Sequence, residues 1–535
     1  MRIRFGVLIA TTTLTAGLAA CSADPVGDGD RPVEYAKDGT FTFTLPSDPG
    51  VVDPYRNLAS LAEMGALAYD PLVNVTPEGE IVSGLAEKWQ ADENSVTFTL
   101  RSGITCSDGT ALTPAHVVKA FDFLKDPKNQ SPLFGLLVPA TPFTATADDS
   151  ARTVRVSTKE PFALLLETLG RVPIVCPKGI DEPASLAKAS AGTGPFVLSE
   201  VVRGDRYTFT LRPGYAWGPG GVRNDAPGTP AKVVARVVPN ETTAANLLLS
   251  GEVNMALIGG ADRDRLTARK LRSFTVAATL GELWYNQRDG RPGADQQVRR
   301  ALTTALDLNE LARVSTSGRG RRASGLVANA SQPCAADNVT GLLPADTTQA
   351  AAQAATLLDQ AGWPAGPNGA RAKDGKPLKV DLHYSTNDGE GNIAAAELVA
   401  QRWKALGVDV KLTGDDLNAL NRAMFETGDF DAYWAGFKLN LPHQMVPFAT
   451  GGTPPQGQNF AGIENTAYEE LVKQAGSTAG AAGCALWNDA EKALFQAVDV
   501  VPVSESELPY FLSKAEASTE GWLQLPIPTS IRVLR

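Results

Sequence analysis

Leu85-Ala86-Glu87-Lys88-Trp89, continuing through Phe98-Thr99-Leu100-Arg101 to Ser107-Asp108-Gly109-Thr110-Ala111-Leu112-Thr113-Pro114 and Val117, is the stretch on which the fold reading turns. Its middle part, Val96-Thr97-Phe98-Thr99-Leu100-Arg101, alternates apolar and polar side chains and so reads as a strand with one buried face. Asp108-Gly109 is a turn pair. Thr113 then stands where a helix N-cap belongs, because its hydroxyl can satisfy a free amide, and Pro114 at the first helical position loses no hydrogen bond. Strand, turn and helix therefore follow one another directly.

The same mixture extends outward. Thr40-Phe41-Thr42-Phe43-Thr44-Leu45 and Arg152-Thr153-Val154-Arg155-Val156 repeat the strand alternation. Between residues 297 and 314, Val298, Ala301, Leu302, Ala305 and Leu306 fall on one helical face. A second helix is expected over 347–361, stopped by Gly362 with Pro364 beyond, and a third over 393–406, stopped by Gly407 and feeding the strand Val408-Asp409-Val410-Lys411-Leu412. Interleaved helices and strands of this kind indicate α/β or α+β lobes, and argue against a repeat array or an all-β sandwich.

With 535 residues, 43% of them hydrophobic and 20% charged, the chain can bury more than one core, so two or three lobes are expected. The net charge of −10, without a basic run or basic-aromatic stripe, argues against a nucleic-acid partner. Arg2 and Arg4 precede an apolar, Thr-rich run from Phe5 to Leu18, the layout of a secretory signal peptide over residues 1–20. Leu18-Ala19-Ala20-Cys21 resembles the lipobox of bacterial lipoproteins, which implies lipidation at Cys21 and an anchor on the outer face of the cell membrane. Residues 22–37 are rich in Asp, Gly and Pro and read as a flexible tether. Four further cysteines, Cys106, Cys176, Cys334 and Cys484, allow three disulfide pairings in an exported protein, and none has the CxxC spacing of a metal site.

Four stretches in order resemble extracellular solute-binding protein family 5, the oligopeptide, dipeptide and nickel class. They are the opening stretch above; Gly192-Thr193-Gly194-Pro195-Phe196; Ser250-Gly251-Glu252-Val253-Asn254-Met255-Ala256 with Trp284-Tyr285-Asn286, Val298-Arg299-Arg300-Ala301-Leu302 and Asp307; and Leu357-Leu358-Asp359-Gln360-Ala361-Gly362-Trp363 with Asp374-Gly375-Lys376-Pro377-Leu378. The resemblance implies a periplasmic-binding-protein-like type II fold (cluster C) of three lobes. Residues 38–60, 193–280 and 497–535 would form the first, 61–192 an inserted lobe, and 281–496 the opposite one. The solute would lie between first and opposite lobes, with two strands as a hinge. On that division Cys106 pairs with Cys176 and Cys334 with Cys484, each pair within one lobe.

Peptide-binding members carry an aromatic residue and, three positions later, a carboxylate that receives the peptide amine. The matching segment here runs Phe430-Asp431-Ala432-Tyr433-Trp434-Ala435-Gly436-Phe437-Lys438-Leu439-Asn440, so Phe437 takes the aromatic place and Asn440 replaces the acid. Lys438 adds a positive charge, and a neutral amide at 440 gives up the charge-assisted bond to an ammonium. The resemblance also implies cleft positions at Ala59, Ser60, Phe134, Tyr285, Asn286, Leu417 and Gly436. It implies further that the protein works as a monomer, without a cofactor, as the substrate-binding lipoprotein of an ABC importer that delivers a peptide or peptide-like solute to the membrane permease. An oligosaccharide, polar conjugate or metal chelate is the alternative cargo, and a ligand sensor the alternative role. An enzyme is not expected: Ser185-Leu186-Ala187-Lys188 matches the SxxK of serine acyl-enzymes but no KTG follows, and HExxH and GxSxG are missing.

Overall fold

Two long strands organise the molecule. In the computed structural model, which describes residues 34–327, 332–343, 350–386, 388–437, 439–522, 524 and 526–535, Arg272–Tyr285 and Val500–Leu512 run antiparallel, from Arg272 opposite Leu512 to Trp284 opposite Val500. They belong to an 11-stranded sheet. At one end Val500–Leu512 takes on Met255–Leu257, followed by Thr40–Leu45 and Lys232–Val237 as a parallel pair, then Arg206–Leu211 and Phe196–Val202. At the other end Arg272–Tyr285 takes on Ala432–Ala435, followed by the parallel strands Lys379–Ser385 and Asp409–Asp415. The helix Glu390–Ala405 makes the crossover that this last parallel pair needs, burying Ala395, Ala396, Val399 and Trp403.

Between the two groups of strands the register slips at Thr279, Gly281 and Glu282, which is a β-bulge. Glycine is required there, because a Cβ at 281 would stand 2.6 Å from Trp434 Cζ2 and 2.8 Å from Ser504 Oγ. Gly320–Arg322 covers the other strand beside the bulge, pairing with Ser504–Ser506.

A separate antiparallel sheet is formed by Ala86–Asp92, Ser95–Leu100, Thr153–Thr158 and Phe143–Asp148. Val96, Phe98, Leu100, Val154 and Val156 point into its core, where Val117, Phe121 and Leu124 of the helix Pro114–Lys125 join them. That helix starts at an N-cap Thr113 with proline at its first position, as the sequence predicts. Where the chain returns to the large sheet, Gly192 and Gly194 press on the 67–69 backbone so closely that a Cβ on either would fall 2.2–2.4 Å from it. Arg212 spans the junction, donating to the carbonyls of Gly192, Gly194, Thr105 and Cys106. Asp70 accepts from Tyr215, Thr193 and Trp217 beside it, and burial pushes its carboxyl up to about 6.

The strand at 40–45 matches its expected limits, and those at 96–101 and 152–156 are displaced by one or two residues. The single helix expected over 297–314 is two, Gln296–Thr304 and Leu308–Ser315. Asp307 causes the break: its side chain accepts from the amides of Asn309 and Glu310 and restarts the helix as an N-cap. The apolar face runs on across the break, which is why periodicity alone joins the two. The helix expected over 347–361 is Ala350–Gln360, the start of the expected range lying outside the described residues, and that expected over 393–406 begins earlier, at Glu390. Disulfides join Cys106 to Cys176 and Cys334 to Cys484, the expected pairing. Residues 1–20, Cys21 and most of the tether lie outside the described residues. Among the described residues no helix is long and apolar enough to cross a membrane.

Candidate functional site

The segment after the buried strand Ala432–Ala435 leads from one half of the molecule onto the other. Gly436 and Phe437 are half-buried. The Phe437 ring stacks on Phe460 (5.7 Å between centroids) and meets Trp284 and Phe448 at 5.3 and 5.6 Å, so it is one member of an aromatic cluster. Behind it Glu282 is fully buried. Its carboxylate accepts the indole N–H of Trp284 at 2.9 Å and the amide of Phe437, and burial pushes its pKa up to about 8.

Asn440 is already bonded. Its Oδ1 accepts from Gln332 Nε2 at 3.0 Å, and its amide donates to Gln444. Gln332 also donates to the carbonyl of Trp522 at 2.9 Å, tying 440 to the C-terminal segment. Leu441 packs with Val75 and Trp522 in a small apolar cluster. Farther on, His443 and Gln444 both reach the carbonyl of Leu136 (3.2 and 3.1 Å), and the His443 ring stands edge-on to Phe162. Burial lowers the His443 pKa to about 4, so this contact is made by a neutral imidazole.

The seam therefore joins three stretches of chain: 61–192, the segment 332–444, and the C-terminal 520–529. Arg171 completes it. Its Nη2 lies 3.3 Å from Glu520 Oε1 and its guanidinium rests on the Trp522 ring, 5.6 Å from the centroid. One cavity opens between residues 61–75 and 171–173 on one side and 520–529 on the other. A second lies behind Leu439, Pro442 and Met445, lined also by Asn338, Tyr468 and Glu491. Among the described residues no group of His, Cys, Asp and Glu is arranged to hold a metal ion.

The expected cleft residues are distributed unevenly around this seam. Ala59 is exposed on the short helix Leu58–Ser60, and Phe134 is exposed on the loop whose Leu136 meets His443 and Gln444. Ser60 is buried, its hydroxyl donating to Asn57 O, and its neighbour Leu61 lines the first cavity. Tyr285 and Asn286 serve the packing of their own half. The Tyr285 hydroxyl bonds Thr303, and the Asn286 amide donates to Gly428 O and Phe430 O while its oxygen accepts from Arg288. Leu417 opens the helix Leu417–Arg422. Lys438 lies outside the described residues. Arg171, Gln332, Glu520 and Trp522 were not singled out by sequence reasoning. Each is a lone polar or aromatic residue in an irregular segment, with no periodicity or motif to mark it.

Comparison with known proteins bears on the whole arrangement. A family model described as bacterial extracellular solute-binding proteins, family 5 middle, matches residues 80–459. The periplasmic murein peptide-binding protein MppA of Escherichia coli K12 is 27% identical, over 93% of this chain and 91% of its own length. A substrate-binding protein from Microbacterium hydrocarbonoxydans, solved with 4-hydroxybenzoate hydrazide, superposes with a TM-score of 0.74 at 27% identity, covering 92% of this chain and all of that one. The oligopeptide-binding AppA of Bacillus subtilis, solved with a nonapeptide, shares the fold with a TM-score of 0.75 at 19% identity, over 94% of this chain and all of that one. The fold is thus the periplasmic-binding-protein type II arrangement expected from the sequence.

Proposed function

The chain belongs to the bacterial extracellular solute-binding proteins of family 5, and on that premise we propose that it captures a peptide or peptide-like solute and delivers it to the permease of an ABC importer. The observation that carries this reading is the seam around Asn440. Three stretches of chain meet there, with one cavity beside it lined by residues of 61–219 and 520–529 and another by residues of 326–494, and the two groups of strands are joined by one pair of long strands. Such a connection lets the halves rotate about the bulge at Gly281, and a solute that touches both sides stabilises the closed form. MppA, whose name records a murein peptide as ligand, supports a peptide-like cargo.

On this reading residues 38–60, 193–280 and 497–535 form the first lobe, 61–192 the inserted lobe and 281–496 the opposite lobe. Cys21 carries the lipid, and the tether holds the body off the outer face of the membrane. Binding is the whole activity, and no bond in the solute is made or broken.

Native mass spectrometry of the exported protein with Cys21 replaced by serine tests the proposal. A family of bound masses at amino-acid spacing, displaced by added peptide, is the expected result. A single non-peptide mass that peptides fail to displace would move the cargo to a sugar, polar conjugate or chelate. Turnover of the bound solute would overturn the non-enzymatic reading.

A further inference from the structure

His443 is enclosed by residues from the far side of the seam. It is 7% exposed, its ring stands edge-on to Phe162, and its Nε2 reaches the carbonyl of Leu136 at 3.2 Å. Close by, the amide of Ala163 donates to the carbonyl of Gly476 at 2.8 Å, a second bond between the same two stretches of chain. A carbonyl oxygen can only accept, so Nε2 carries the hydrogen and the neutral ring keeps its lone pair on Nδ1. Nδ1 is buried and has no partner. Protonation would add both a donor and a charge at an atom to which the closed seam offers no acceptor.

The chain around the ring supplies no compensating charge. Residues 133–138 and 439–450 contain no charged side chain. Lys159 and Glu160, just before Phe162, and Lys473, before Gly476, are exposed to water, and Lys438 lies outside the described residues. The titratable group on the helix that follows Phe162, Leu165–Leu169, is Glu167, whose carboxyl burial raises. Closure would favour its protonated form, which is the opposite sense to His443. We propose that His443 is a pH-sensitive latch: the two halves close on the solute only while its imidazole is neutral, and acid opens the seam and releases the solute. The proposal rests on the reading of the chain as a binding protein whose halves close around a solute. Burial puts the pKa of the enclosed ring at about 4, against 6.5 for an exposed one. Closure is therefore undiminished above about pH 6.5, weakens as pH falls from there toward about 4, and weakens no further below that.

Calorimetric titration of the exported protein with tri-alanine at about pH 7.5 and about pH 5 tests this, and binding should be at least about tenfold weaker at the lower pH. His443→Gln places a neutral amide where Nε2 stands and should bind equally at both. His443→Asn, too short to reach Leu136, should bind more weakly than the parent and by the same factor at both. Glu167→Gln should keep the weakening in acid or deepen it. A parent indifferent to pH, a folded His443→Gln protein that still weakens in acid, or a Glu167→Gln protein that does not, would overturn the latch. If tri-alanine binds at neither pH, the peptide reading fails and X-ray scattering decides the latch. The radius of gyration of the exported protein, carrying the solute with which it was purified, should rise in acid in the parent and stay constant in His443→Gln. A constant radius in the parent, or an equal rise in both, overturns it.

Discussion

Glu282 makes folding depend on pH in a direction opposite to that of a surface carboxylate. Burial raises its pKa from 4.5 to about 8 in the folded protein, so between those values the native state holds a proton that the unfolded chain has released. Its contribution is full below about pH 4.5 and is lost as pH rises to about 8, with a slope of at most about 1.4 kcal/mol per pH unit. Glu282→Gln should reduce the slope of that part of the profile, leaving the contributions of the other carboxyls that burial raises, among them Asp70, whose pKa is about 6, and Glu491. Urea unfolding at several pH values measures the difference, and an unchanged slope would place the titration elsewhere. Asn440 permits a test of amine recognition. An aspartate there keeps the bond from Gln332 and adds the missing charge, so Asn440→Asp should bind free-amine peptides about tenfold more tightly, the gain of a charge-assisted bond over a neutral one. No gain in calorimetry would mean that the amine does not reach 440.

At the scale of elements, the pair Arg272–Tyr285 and Val500–Leu512 carries the connection between the two groups of strands, and the bulge at its centre is the place where both can bend. Gly281→Ala drives a methyl group into Trp434, which is fully buried and fixed by its indole bond to Asn392. Overpacking of this kind should cost about 1–3 kcal/mol, read as a lower urea midpoint with an unchanged slope. The strands and the Thr113-capped helix were legible because alternation and capping are local properties. The break at Asp307 was less so: the apolar face continues across it, and only the side-chain cap, a contact between near neighbours, distinguishes two helices from one. The bulge was not legible at all, because a register slip belongs to two strands more than two hundred residues apart in sequence.

For the whole molecule, the two disulfides close loops of 70 and 150 residues, each within one of the expected lobes. Removing either pair with serine should cost about 2–5 kcal/mol, chiefly by freeing the unfolded chain, and a reductant should lower the melting temperature of the natural protein in the same sense. Melting with and without dithiothreitol, on the parent and on both double-serine variants, assigns the loss to one bridge or the other. The sequence alone determined the family, the mixed α/β class and the departure from an acid at 440, since each is carried by residue types in a fixed order along the chain, whereas it left three cysteine pairings open, of which the family's lobe division implied the one the structure has. Only the tertiary structure decided that Tyr285 and Asn286 are engaged in packing, that Asn440 is bonded to Gln332, and that Arg171 meets Glu520 and Trp522 over a cavity. Those facts depend on which distant segments come to face each other, and on which buried polar atoms are left without a partner when they do. No local pattern of hydrophobicity or charge encodes either.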